Sequence, residues 1–291
     1  MPTPLYDALR AFAHRAPLRM AMPGHKGRSV PGMGTDSGVL DFTELPPTGN
    51  LYASGGPIEE AERLWAQHWG ADHCLFLTGG STQGLHTALL CACAPGEEIL
   101  LDRVSHRSLH TALALLDLHP VWLERPWLSE KGVVGPVSPE GVENALSLRR
   151  NIKTVCITSP TYYGVLSNIP EIARICHAHK VRLIVDAAHG AHLHLLEENP
   201  LAEGDLVVVS AHKTLRAPGQ SALLFARAPF TMDALRRSSM TFATSSPSYP
   251  MMAALDCVRA YYEDTGREAY LRTAAHVAAL RRDYPSLTDS D

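Results

Sequence analysis

Residues 182–213 read RLIVDAAHGAHLHLLEENPLAEGDLVVVSAHK. Two runs within this stretch, RLIVD (182–186) and LVVVS (206–210), are short, continuous and apolar, the pattern of strands buried on both faces of a parallel sheet. The first run ends on Asp186. The second leads through Ser210 into His212 and Lys213. Ligands of such sheets sit outside the carboxyl ends of the strands. Asp186 and Lys213, one strand–connection–strand step apart, therefore reach the same sheet edge. A carboxylate at the end of an apolar strand is costly to bury unless a cation pairs with it. A lysine in the same setting is partly desolvated, which lowers its pKa and makes it a usable amine nucleophile. Taken singly, Asp186 also reads as a turn cap and Lys213 as a surface lysine.

The same kind of run recurs on both sides: CLFLT (74–78), EILLD (98–102), PVWLE (120–124), TVCIT (154–158) and SALLFA (221–226). Segments of helical period lie between most of them, such as GLHTALLCAC (84–93), SLHTALALL (108–116), PEGVENALSLRR (139–150) and PEIARICHAHK (170–180). Alternating strand and helix over this length predicts an α/β fold with a doubly wound, mostly parallel seven-stranded sheet. The first 55 residues differ. A short amphipathic helix (6–14) precedes a Gly/Pro-rich stretch (23–57), so residues 1–55 read as a helix and irregular arm. Helical segments follow at 251–263 and 267–282.

The chain has 291 residues, 45% of them hydrophobic and 19% charged, with a net charge of −4. That balance argues against a nucleic-acid or membrane surface. No stretch approaches the ~18 uncharged apolar residues of a membrane span. The N-terminus, MPTPLYDALRAFAHRAP, carries Asp and Arg among its apolar positions and is not a secretory signal, so a cytoplasmic location is expected. The six cysteines form no CxxC and read as reduced thiols. Fifteen histidines are about double the usual share.

The residues that follow the other strands extend the candidate site. TGGSTQG (78–84) places two glycines, then Ser81, Thr82 and Gln83, at a helix N-terminus, a phosphate cup by geometry and dipole. It equally reads as a plain capped helix, and it lacks the lysine of a Walker A loop. DRVSHRSLH (102–110) puts His106 at the start of the next helix on the ligand side. His189, His192 and His194 form HxxHxH, but neither helix nor strand geometry puts all three on one face, so no metal is assigned. Lys26, in the arm, is the competing lysine and ranks below Lys213 because no strand precedes it. His177 and His179 sit in a predicted helix and receive no role. In that order, a phosphate cup, a His, a strand-end Asp and a strand-end Lys are the parts that pyridoxal phosphate needs.

MPGHKG (22–27), GGSTQG (79–84), DRVSHRSLH (102–110), DAAHGAH (186–192), SAHKTL (210–215) and TSSPSY (244–249) together resemble the major domain of the ornithine/lysine/arginine decarboxylases, fold-type-I pyridoxal 5'-phosphate enzymes of the aspartate aminotransferase superfamily. The resemblance runs from about residue 17 to about residue 262. It implies that Lys213 is the Schiff-base lysine, that Asp186 pairs with the pyridinium nitrogen and that His106 stacks on the ring. Ser81, Thr82 and Gln83 would hold the phosphate, aided by Ser210 and His212, and His189 would lie near the ring. Lys213 or His212 would return a proton to Cα. Thr244, Ser245 and Ser246 would reach the phosphate of a partner subunit, which implies a homodimer with shared sites. The implied reaction is decarboxylation of lysine, arginine or ornithine. Other readings of the same cofactor parts are aminotransferase or lyase chemistry, or a paralogue that binds cofactor without turnover. Asp41 and Glu44 in the arm are weaker candidates for attracting a substrate ammonium. By the same resemblance, 56–262 would be the cofactor domain and 263–291 the helical start of a C-terminal small domain that is largely missing.

Overall fold

The continuous apolar runs become strands because most are covered on both faces; β3, at the sheet edge, is the exception. Every residue of Leu206–Val209 and Ala222–Ala226 is buried. A computed structural model describes residues 1–29, 31, 38–196 and 198–284; the end of the expected C-terminal segment, 285–291, lies outside the described residues.

Helices α1 (Pro4–His14) and α2 (Gly56–Trp69) come first, and strand β1 (His73–Leu77) leads into α3 (Gly80–Ala92). Strand β2 (Glu98–Asp102), α4 (Arg107–Leu115) and β3 (His119–Leu123) follow. A small ribbon, β4 (Trp127–Leu128) with β5 (Val133–Val134), precedes α5 (Pro139–Leu148). Then come β6 (Thr154–Thr158), α6 (Ile169–Ala178), β7 (Arg182–Asp186), β8 (Leu206–Val209), the one-turn α7 (Ala211–Thr214) and β9 (Ala222–Ala226). Helices α8 (Met232–Met240), α9 (Tyr249–Tyr261) and α10 (Arg267–Asp283) complete the described chain.

The seven long strands form one sheet in the order β1-β9-β8-β7-β6-β2-β3. All seven are the runs identified in the sequence. Only β9 opposes its neighbours, pairing antiparallel with β1 and β8; the other pairs are parallel. The chain steps from β2 outward to β3, then returns to β6 on the other side of β2. Strand order thus reverses at the β2–β6 boundary, a switch point that opens a crevice at the carboxyl ends. The register sets Thr158 of β6 opposite Asp186 of β7.

Helix α3 lies close on the sheet because Gly84 has no side chain; a Cβ there would meet Leu77 Cδ1 at 2.6 Å and Val208 Cγ1 at 2.7 Å. Helix α1 packs on α2 and α9. It is tied down by the Asp256 carboxylate, which accepts from the Leu5 and Tyr6 N–H groups at 2.9 and 3.2 Å. Two histidines with no role in the sequence reading are side-chain ties: His177 Nε2 lies 2.9 Å from Asp205 Oδ1, and His179 Nε2 2.7 Å from Glu143 Oε1.

Candidate functional site

Strand direction brings the candidate residues to one edge. A cavity of ≈ 300 Å³ opens there, lined by Ser81 after β1, Val104 and His106 after β2, Thr158, Pro160 and Tyr162 at and after β6, Asp186 and His189 at and after β7, and Lys213 after β8.

Asp186 is the deepest charge in it, 3% exposed. Burial pushes its carboxyl up to about 6, against the opposing pull of the Ala188 N–H and of Lys213. The Ala188 N–H donates to Oδ1 at 3.1 Å. Lys213 stands at the mouth of the cavity. Burial of part of its side chain lowers its pKa, and the Asp186 charge opposes that shift. Its Nζ lies 2.7 Å from His189 Nε2. His106 caps α4: its Nδ1 accepts from the Ser108 N–H at 3.2 Å. Its pKa is lowered, first by burial and then by the charges of Lys213 and Arg107. Ser81 in the cavity wall accepts from the hydroxyl of the fully buried Ser210 at 2.9 Å, which joins the end of β8 to the start of α3.

The arrangement can do three things. It presents an amine of lowered pKa, it offers a buried carboxylate that calls for a cationic partner, and it places hydroxyls at the N-terminus of a 13-residue helix suited to an anion.

The raised Asp186 pKa makes a stability prediction for the protein with nothing bound. Below the unfolded pKa the carboxyl is protonated in both states. As pH rises from the unfolded value of about 4 to the folded value of about 6, the unfolded chain ionises first, and folding loses up to about 3 kcal/mol. The advantage of Asp186→Asn in thermal midpoint should therefore widen between about pH 4 and pH 7 and be level above that. A gap that stays constant over that range would remove the assignment.

The Orn/Lys/Arg decarboxylase major-domain profile matches residues 3–290. The chain belongs to this family. An arginine decarboxylase of Bacillus subtilis (strain 168) is 30% identical over 279 residues, covering 91% of this chain and 56% of the relative. The constitutive lysine decarboxylase of Escherichia coli (strain K12) is 25% identical over 267 residues, 86% of this chain and 37% of the relative. Among solved structures, lysine decarboxylase A from Pseudomonas aeruginosa superposes with a TM-score of 0.84 at 22% identity, over 98% of this chain and 44% of that one. The chain thus spans little more than half of the first of these proteins and less than half of the other two.

Within this member of the decarboxylase family, several residues named from the sequence stand outside the cavity wall. Thr82 is exposed on the first turn of α3. Gln83 turns inward, accepting from the Gly79 N–H at 2.7 Å and donating to Ser239 Oγ at 2.7 Å. His212 faces β9, with Nδ1 3.0 Å from the Ser221 carbonyl. Ser245 and Ser246 are exposed in the connection between α8 and α9. Lys26 donates to the Met20 and Ala21 carbonyls of its own loop at 3.2 and 2.7 Å. Asp41 accepts from His25 at 3.1 Å, and Glu44 bonds Thr43. The histidines of HxxHxH part company. His189 meets Lys213, His192 packs at 5.4 Å from the Tyr270 ring, and His194 lies 3.1 Å from His68 Nε2.

Thr158, Pro160 and Tyr162 line the cavity but are missing from the sequence reading. The signal was present: TSPTYY (158–163) follows the strand TVCIT at the same sheet edge. The Thr158 hydroxyl is buried without a hydrogen-bond partner.

Proposed function

We propose that this chain carries the cofactor site of a pyridoxal 5'-phosphate-dependent decarboxylase of basic amino acids: lysine, arginine or ornithine. The observation that carries this reading is the placement of Lys213 and the buried Asp186 in one cavity at the carboxyl ends of adjacent strands.

The residues fit the cofactor. Asp186 is a buried carboxylate whose ionised form needs a cation, and a pyridinium nitrogen is one. The unpartnered Thr158 hydroxyl, opposite Asp186 in the sheet register, leaves a donor in the wall beside it. Lys213 would attach the aldehyde, His106 would cover a ring face, and Ser81, supported by Ser210, would receive the phosphate at the start of α3. When bound, the cofactor supplies an electron sink for the pair released as the Cα–carboxylate bond breaks. The chain's own part is to hold the ring at Asp186, fix the substrate against it and keep Lys213 able to exchange its proton. The exposed Ser245 and Ser246 lie outside the cavity and are free to serve a second copy, which supports a homodimer. A cytoplasmic location also belongs to this reading; among the described residues no helix is long and apolar enough to cross a membrane.

The test is a panel. The purified chain with added cofactor is given lysine, arginine and ornithine, and the cadaverine, agmatine or putrescine released is measured by chromatography. One of the three should form with clear preference. No amine from any of them, with cofactor bound, would exclude this reading and leave a cofactor-binding protein without turnover.

A further inference from the structure

Three imidazoles surround the Lys213 turn, and their nitrogens are committed differently. His106 Nδ1 is occupied as the α4 cap. His212 Nδ1 is bonded to the Ser221 carbonyl. His189 alone of the three has a nitrogen on the lysine, Nε2 at 2.7 Å from Nζ. With Lys213 as the ammonium, Nε2 accepts, which puts the ring proton of His189 on Nδ1.

His189 is held there by a fixed turn. The Ala187 N–H donates to the Val208 carbonyl at 2.8 Å, and the Gly190 N–H to the Ala187 carbonyl at 2.8 Å. The Tyr162 ring packs edge-on against the imidazole at 5.4 Å. The charged and titratable groups facing the pair are Asp186 at the end of β7, His106 at the start of α4, Tyr162 after β6 and His192 on the same loop as His189. Burial, then the Lys213, His106 and His192 charges, lower the His189 pKa, so it is a neutral base at physiological pH.

We propose that His189 is the proton relay of Lys213, taking its proton as the lysine attacks the cofactor aldehyde and returning it to the oxygen that leaves. This rests on the reading of Lys213 as the cofactor lysine. The Lys213 ammonium gives one proton to Nε2, and the freed amine forms a bond to the aldehyde carbon as the carbonyl π pair moves to oxygen. The oxygen takes that proton from His189. A second proton then passes from the nitrogen through the same imidazole to the hydroxyl, which leaves as water as the C=N bond forms. Charge is conserved and one water is released. Placed general bases contribute on the order of 10²-fold or more to such transfers.

The test follows the rate at which the full chain, freed of cofactor, develops the Schiff-base absorbance on mixing with pyridoxal 5'-phosphate. Borohydride reduction and peptide mass analysis then locate the label. In His189→Gln, which keeps an acceptor but no basicity, the rate should fall about 100-fold with the final yield unchanged. The wild-type rate should be level between about pH 7 and 8.5, while that of the variant climbs. Imidazole in the buffer should restore much of the rate to His189→Ala, which leaves space for it. An unchanged rate in His189→Gln would overturn the relay while leaving Lys213 in place. A slow variant that imidazole does not rescue would reduce His189 to a positioning residue. A label found on another lysine in the wild type would instead overturn the reading of Lys213.

Discussion

Lys213→Ala should abolish covalent capture of pyridoxal 5'-phosphate. Wild-type protein reduced with borohydride should carry the label on one residue, and the variant on none. The expectation rests on position as much as on residue type. Lys213 lies in the same cavity as Asp186, with its pKa lowered and a base at 2.7 Å. Lys26 lies outside that cavity and donates instead to carbonyls of its own loop. Lys26→Ala is therefore the control and should label as wild type does. Where turnover is measurable, loss of the lysine should cost on the order of 10³-fold or more, because a group that forms a bond in each cycle is removed and nothing nearby replaces it. Noncovalent binding should persist in the variant, weakened, since Asp186, Ser81 and His106 remain. Single-site trapping in Lys213→Ala would show the assignment to be wrong.

What could be read from the sequence follows from how each element is buried. Strands covered on both faces need no alternation, so their apolar runs stand out; all seven were legible, β3 included although it is partly exposed at the sheet edge. Their order was not, because it is set by crossovers and by β9 running against its neighbours. Helices α2 and α8 and the one-turn α7 were not read, and α2 and α8 are joined by a contact between them. Glu62 of α2 is 1% exposed and Arg236 of α8 is 3% exposed, and the two form a buried ion pair at 3.3 Å. Each helix thus carries one charge into the interior, and neither segment's own pattern announces the partner that makes this tolerable. Burial pushes the Glu62 carboxyl up to about 8, even against Arg236 and the Phe76 N–H that it accepts.

The site shows the same division. Asp186, Lys213, His106 and Ser81, named from the sequence because each stands at or after the carboxyl end of a strand, line one cavity. Gln83 belongs to the same motif but turns into the protein to bond Gly79 and Ser239, a choice made by α8, which is far away in sequence. The role of His189 depends on the direction of one imidazole, and no spacing rule contains that.

Arg125 illustrates support that only the fold reveals, and its loss should have the largest effect on stability. It stands 23 residues beyond Asp102, yet its guanidinium reaches the Asp102 Oδ2 at 3.0 Å, the Thr158 carbonyl at 2.6 Å and the Gly135 carbonyl at 3.1 Å. The two side chains are 2% and 0% exposed. Asp102 in turn accepts from the Thr158 N–H at 3.1 Å and from the Val104 N–H at 2.9 Å. Both backbone polar groups of Thr158 thus depend on this pair, at the strand position beside Asp186. Arg125→Met fills the volume but leaves a buried carboxylate without its cation. That imbalance costs about 3–5 kcal/mol, more than the intact pair contributes over an apolar replacement. The urea midpoint, followed by tryptophan fluorescence, should fall accordingly. Adding Asp102→Asn should recover part of the loss, because the amide oxygen still accepts from one of the two N–H groups while the stranded charge is gone. If Arg125→Met is neutral, or if Asp102→Asn deepens its loss, the network is not the keystone of the β2–β6 crevice.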